Sequence, residues 1–295
     1  MQPRIVAIGE VLWDLLPSGA ILGGAPANFA FHARALGAEV SLISRVGDDD
    51  LGREIQRRCK AAGLARETMQ VDPVTPTGTV SVELSADGQP HYTIHEHVAW
   101  DALAADEAAR AAVTKADAVC FGSLAQRSSV SRESIGVLLE ATGPAALRIF
   151  DINLRQSFHS RAILEKSLQH ANVLKLNDAE LPVIAEMFGL KGDDRAQLAA
   201  LVERWKLRAV ALTRGARGAL LLAPDGFSEH PGKALPSVRD TIGAGDAFTA
   251  VLALGLLAQW PLGVINDRAN AVAAYVCSRS GATPELPPSF SSFFK

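Results

Sequence analysis

The chain has 295 residues, 48% hydrophobic and 21% charged, enough for one large or two ordinary globular domains. A formal net charge of -3 leaves no basic footprint for nucleic acid or an anionic membrane. The three scattered cysteines fit buried thiols of a reducing compartment, and neither a signal peptide nor a membrane span is evident, so a cytoplasmic protein is expected.

Arg4 to Gly9 is a short β-branched run ending in glycine, which predicts a buried strand. Val11 to Leu16 continues extended, with Asp14 among apolar neighbours. Asp14 reads either as a binding residue or as a turn residue ahead of Pro17-Ser18-Gly19. Gly23-Gly24-Ala25-Pro26-Ala27-Asn28 then runs into a helix through about Leu36. Its glycines permit close backbone approach to a ligand, and the Asn28 amide can both donate to and accept from a hydroxyl. Packing through small residues is an equal alternative. Glu39 to Val46 predicts the next strand. The acidic run Asp48-Asp49-Asp50 predicts a cap for the helix Leu51 to Ala62, not a metal site.

Thr77 to Leu84 and His91 to His97 are β-rich, and Asp87-Gly88 between them predicts a hairpin turn. The pair interrupts strand-helix alternation and is expected to form a lid. His95 and His97 share a face at strand spacing, but a lid surface is favoured over a metal pair. Alternation resumes with a strand at Ala118 to Gly122, a helix at Ser131 to Ala141 and a strand at Leu147 to Ile152. The last leads into Asp151-Ile152-Asn153-Leu154-Arg155, and strand ends of this kind hold ligands in open α/β sheets. Arg155 could bind a hydroxylated or anionic substrate or form an internal ion pair. After a strand at Asn172 to Leu176, Asn177 and Glu180 have the spacing of a helix cap. A strand at Arg208 to Thr213 and another at Ala219 to Ala223 flank the polar turn Thr213-Arg214-Gly215-Ala216-Arg217-Gly218. A final helix at Arg268 to Ser280 carries Asn270, and Gly281-Ala282-Thr283-Pro284 ends it.

The most informative stretch is Asp240-Thr241-Ile242-Gly243-Ala244-Gly245-Asp246. Small residues precede an apolar helix, Ala247 to Trp260. A helix start offers unpaired N–H groups and a positive dipole end, suited to a phosphate oxygen. Asp246 follows in the first turn, where the dipole favours its ionised form and it can accept a proton. Alone, such a sequence is more often an ordinary capped helix start. No G-x-x-x-x-G-K-S/T loop occurs in the chain.

The stretch resembles the D-T-x-G-A-G-D signature of the ribokinase-like (PfkB-type) carbohydrate kinases, and the other motifs resemble theirs in order and spacing. The resemblance implies an α/β, ribokinase-like three-layer sandwich with a central, mostly parallel sheet and a small β lid. Residues 1–295 would form one kinase domain, with the lid from about 10–20 and 75–100. It implies ATP and Mg²⁺ as cofactors, and K⁺ as in many relatives. Asp246 would be the base, and Gly243, Ala244 and Gly245 the anion hole for the γ-phosphate. Asp14, Gly24, Asn28 and Arg155 would bind sugar. Asn177, Thr213, Gly215, Gly218 and Asn270 would contact nucleotide. Glu180 would act on Mg²⁺ through water. Asp240 and the carbonyls of Ile242, Val276, Arg279 and Gly281 would form a K⁺ site, although Glu285 stands where some K⁺-binding relatives have Ser. Gly9-Glu10, Val98-Ala99-Trp100-Asp101 and Asp151-x-Asn153-x-Arg155 are most similar to bacterial fructokinases, implying phosphorylation of D-fructose to fructose 6-phosphate. Kinases of 2-keto-3-deoxygluconate, ribose or nucleosides, and a sugar- or nucleotide-binding protein without catalysis, are alternatives. Exposed lid strands make a homodimer through the lid an expectation.

Overall fold

Nearly continuous burial of the central strands on both faces underlies the architecture of the computed structural model, which describes residues 2–16, 19–84 and 90–291. The chain opens with β1 (Arg4–Ile8), β2 (Leu12–Leu16), β3 (Gly19–Gly23) and α1 (Ala25–Ala35). There follow β4 (Glu39–Gly47), α2 (Asp50–Ala61), β5 (Met69–Asp72), β6 (Thr79–Leu84), β7 (Pro90–Ile94) and α3 (Glu107–Thr114). The middle comprises β8 (Ala118–Phe121), α4 (Ser129–Ala141), β9 (Leu147–Asp151), α5 (Arg161–His170) and β10 (Val173–Asn177). The rest is α6 (Glu180–Phe188), α7 (Asp194–Trp205), β11 (Ala209–Thr213), β12 (Ala219–Ala223), β13 (Gly226–His230), α8 (Ala244–Leu257), α9 (Leu262–Cys277) and a last turn of helix at Pro288–Ser291.

Among the described residues, nine strands form one sheet in the order β13-β12-β11-β10-β9-β8-β1-β4-β5. Pairing is parallel from β11 to β5, and β12 is antiparallel to both its neighbours. Alternate strand residues pack into two separate cores. Ile5, Ala7, Leu42, Cys120, Ile149 and Val173 pack with α1, α8 and α9 on one face. Val6, Ile8, Ile43, Phe121, Phe150 and Leu174 pack with α3 to α7 on the other. A sheet covered on both faces is the expected three-layer sandwich. After β1 the chain winds first to β4 and later to β8 on the opposite side. The sheet therefore has its switch point beside β1, where α/β sheets place ligands outside the strands' carboxyl ends.

The small sheet has the order β3-β2-β6-β7. Its hairpins β2–β3 and β6–β7 are antiparallel, and β2 runs parallel to β6. The expected turn at Asp87-Gly88 lies outside the described residues. The strand expected to reach His97 ends at Ile94, and His97 takes φ 58°. His95 and His97 therefore do not share a strand face, and exposed His95 Nε2 lies 2.7 Å from Ser81 Oγ. Asp14 is central in β2 and is no turn residue. Asp49 caps α2 by accepting from the Gly52 N–H at 2.7 Å, as its spacing predicts.

The helix expected at Arg268 begins six residues earlier, at Leu262, because Pro261 ends the loop after α8 and suits a helix start. Strands β5 and β13 and helices α3, α5 and α7 have no counterpart in the sequence expectations. The two strands are only four and five residues long, too short for periodicity to mark them.

Candidate active site

The start of α8 is fixed by a glycine that nothing else could replace. Gly243 takes φ 80°, and a methyl group on it would lie 2.1 Å from the Ala282 carbonyl oxygen. No side chain caps this helix, and apart from the long 3.4 Å bond of the Ala244 amide to the Thr241 carbonyl its first-turn N–H groups keep the anion-binding capacity of a helix start. Gly245 serves a different need. A methyl group there would stand 3.1 Å from Lys175 Nζ, so glycine leaves room for the ammonium.

Asp246 occupies the first turn of α8, and its Oδ2 accepts from Asn28 Nδ2 at 2.9 Å. Asn28 is buried on α1, so the two glycine motifs, 218 residues apart, meet here. Burial raises the Asp246 carboxyl to about 6, and the charge of Asp151 adds to it; Lys175, Asn28 and Arg155 oppose the rise. The helix dipole had implied a carboxylate more ionised than usual. Desolvation and a second buried carboxylate outweigh it, because the dipole is worth at most about 2 kcal/mol.

Beneath Asp246 lies a buried pair that motif reading missed. Lys175 Nζ is 3.1 Å from Asp151 Oδ1, and the two are register partners on β10 and β9. Thr249 Oγ1, one helical turn after Gly245, lies 2.8 Å from Asp151 Oδ2. Burial alone would lower the Lys175 ammonium, but Asp151, Glu180 and Asp246 outweigh it and hold it above its ordinary value. The available signal was a lysine inside the apolar run Val173-Leu174-Lys175-Leu176. Strand alternation turns it to the α8 side, with Val173 and away from Leu174 and Leu176.

At the end of β1, Glu10 is only 3% exposed, and burial raises its carboxyl to about 7 against its own and the Ala25 amides and the charge of Arg155. Gly24 is pressed on the Glu10 backbone: it takes φ 102°, and a methyl group would lie 2.5 Å from the Glu10 carbonyl oxygen. Asp14 is half-buried, raised by burial and opposed by Arg155. Arg155 is exposed and donates to the adjacent Leu154 carbonyl at 3.0 Å. It forms no salt bridge among the described residues, yet its charge reaches Glu10, Asp14 and Asp246. Asn28 thus touches Asp246, Gly24 packs on the Glu10 backbone, and the Arg155 charge reaches Glu10, Asp14 and Asp246. Trp100, of the fructokinase-like Val98-Ala99-Trp100-Asp101, is fully buried and stacks under Arg127 at 3.9 Å, which in turn binds Asp101 at 2.9 Å and the His95 carbonyl. That motif anchors the small sheet to the body.

On the other side of α8, Asn177 and Thr213 are register partners at the ends of β10 and β11. Asn177 Oδ1 accepts from the Ala179 and Glu180 amides, and Glu180 Oε2 accepts from the Asn177 amide at 2.8 Å, the reciprocal cap of α6. Glu180 Oε1 accepts from the Leu154 amide. Gly215 and Gly218 take φ 55° and 76°, and a methyl group on Gly218 would collide with the backbone of His230 to Gly232. Asn270 lies one turn from Asn266, to which it donates, and Asn266 reaches the Ala219 carbonyl beside this turn. Asn177 and Thr213 thus end neighbouring strands, Gly215 and Gly218 form the turn after β11, and Asn270 is linked through Asn266 to the strand after that turn.

Asp240 closes the loop before Gly243. Its two oxygens accept from the Ile242 and Gly281 amides at 3.0 and 3.1 Å, which draws Ile242 and Gly281 around it at the end of α9. The Val276 carbonyl accepts from the Arg279 amide at 3.0 Å in that helix end. No group of three or more His, Cys, Asp or Glu suited to a metal ion occurs among the described residues. No helix among them is long and apolar enough to cross a membrane.

Comparison with known proteins identifies the family. Residues 20–288 match the pfkB family carbohydrate kinases. A fructokinase of Salmonella typhimurium is 31% identical over 271 residues, covering 88% of this chain and 86% of its own. The fructokinase of Vibrio cholerae O395 bound to fructose, ADP and calcium superposes with TM-score 0.81 at 25% identity, over 100% of this chain and 99% of its own. An uncharacterized sugar kinase of Pyrococcus horikoshii in complex with ATP gives TM-score 0.81 at 28% identity, over 95% and 94%. The fold and sequence shared with these proteins show that the chain belongs to the pfkB family of carbohydrate kinases and is a phosphotransferase acting on a sugar hydroxyl.

Proposed function

We propose that the protein transfers the γ-phosphate of ATP to the 6-hydroxyl of D-fructose. The observation that carries the reading is Asp246, held by Asn28 at 2.9 Å beside the uncapped, glycine-bounded start of α8. A sugar hydroxyl is a very weak acid, so attack on phosphorus needs a base as the bond forms. A carboxyl raised to about 6 is a stronger proton acceptor than an ordinary aspartate and is still ionised at neutral pH. Gly243, Ala244 and Gly245 offer their amides to the transferred group's oxygens, with no reorganisation as charge develops. The buried Lys175 ammonium lies behind Gly245 and favours negative charge there.

Asp14, Gly24, Asn28 and Arg155 orient the sugar, while Asn177, Thr213, Gly215, Gly218 and Asn270 line the nucleotide cleft. Mg²⁺, carried mainly by ATP, would neutralise phosphate charge. Glu180 fits such an ion only through water, since both its oxygens already accept from backbone amides. Asp240 with the neighbouring carbonyls is the candidate K⁺ site. The small sheet serves as a lid within one kinase domain, and its edge suits a second copy of the chain.

Fructose is favoured by the relatives: fructokinases recur among them, and the Vibrio cholerae structure holds fructose. Exposed Arg155 favours a second reading, because 2-keto-3-deoxygluconate carries a carboxylate that its guanidinium could bind. A panel of fructose, 2-keto-3-deoxygluconate, ribose and nucleosides with coupled ADP detection decides between them. The highest kcat/KM is expected for fructose; a much higher value for another acceptor overturns the substrate, and no turnover with any acceptor overturns the reading.

A further inference from the structure

We propose that His32 is a positioning residue for phosphoryl transfer, holding the backbone that sets the anion-binding turn at the start of α8. The inference rests on the reading of that turn as the γ-phosphate site. His32 is 1% exposed, and its Nε2 lies 2.9 Å from the Ala282 carbonyl oxygen, 250 residues away. A carbonyl only accepts, so the imidazole carries its proton on Nε2. Burial keeps the ring neutral, lowering its pKa to about 4.

The partner is what matters. Ala282 is the residue against which Gly243 packs: a methyl group on Gly243 would meet its oxygen at 2.1 Å and its carbonyl carbon at 2.7 Å. The left-handed turn of Gly243 therefore rests on the Ala282 peptide, and His32 donates to the carbonyl oxygen of that same peptide. The preceding residue is held as well, since the Gly281 amide donates to Asp240 Oδ2 at 3.1 Å. His32 also shares a helix face with Asn28, four residues before it. One stripe of α1 thus fixes the base through Asn28 and the anion-binding turn through His32. Their separation sets the distance between the acceptor oxygen and the γ-phosphate. Without an Nε2 donor, the buried Ala282 carbonyl loses this partner and the peptide must move to find another.

The test compares His32→Leu, which fills the space without a donor, and His32→Gln, whose amide can reach the same carbonyl. Each is measured by coupled ADP release at a temperature at which melting curves show the variant fully folded. His32→Leu is expected to lower kcat about tenfold to a hundredfold, the usual cost of misplacing reacting groups by up to about 1 Å. KM for sugar is expected to stay within about threefold, because no sugar contact is removed. His32→Gln should recover most of kcat. Unchanged kcat in folded His32→Leu, a rise in KM alone, or loss in both variants to the same level overturns the proposal. If His32→Leu fails to fold, His32→Gln and His32→Asn carry the comparison, since the shorter Asn cannot reach the carbonyl; equal kcat in the two then overturns it. Absence of sugar phosphorylation in the wild type overturns the underlying kinase reading instead, so the two failures are distinguishable.

Discussion

Replacing Asp246 by Asn should separate catalysis from stability, with opposite signs. Asparagine keeps the size and an acceptor oxygen for Asn28 Nδ2, but it cannot take the sugar proton. Positioned general-base catalysis is worth ~10²–10⁴ in rate, which is about 3–5 kcal/mol of barrier. ATP affinity should change only several-fold, because the amides of Gly243 to Gly245 remain. Stability moves the other way. The folded carboxyl is raised from 3.8 to about 6, so ionising it costs folding free energy as pH climbs through that window, and the full cost applies above about 6. The difference corresponds to roughly 3 kcal/mol as an upper value, since the residue is half-buried and solvent screens part of the cost. Asp246→Asn should therefore melt higher than wild type at pH 8 and nearly equal to it at pH 4. Coupled ADP release at saturating sugar and ATP, with melting curves at both pH values, reads both effects. A folded variant with kcat within threefold of wild type would remove Asp246 from the mechanism. A lower melting temperature at pH 8 would refute the burial argument.

Two further outcomes follow from the same geometry. The wild-type kcat/KM should fall about tenfold per pH unit below about 6, as Asp246 protonates among Asp151, Lys175, Asn28 and Arg155, and the residual rate of Asp246→Asn should lack that limb; a flat wild-type profile from pH 5 to 8 refutes it. Gly243→Ala should cost ~1–3 kcal/mol in thermal melting, and most activity, because its methyl meets the Ala282 backbone, whereas Gly136→Ala in α4, with nothing within 4 Å, should be neutral or stabilising; equal melting temperatures refute the steric account.

What the sequence determined by itself is local. The Asp49 cap, the reciprocal Asn177–Glu180 cap and the turn from Asp240 to Asp246 join groups within a few residues, so residue type and spacing are enough to specify them. The buried strands were legible because coverage on both faces makes them continuously apolar. Tertiary structure decided which distant groups share a space. Asn28 meets Asp246, Lys175 meets Asp151, and His32 meets Ala282 only after the sheet has wound both ways from β1. It also decided the state of the base. A dipole can be inferred from a helix start, but desolvation and the field of Asp151 depend on how the strands and helices stack. Those terms, summed over remote neighbours, raised Asp246 to about 6 where its local sequence implied a lower value.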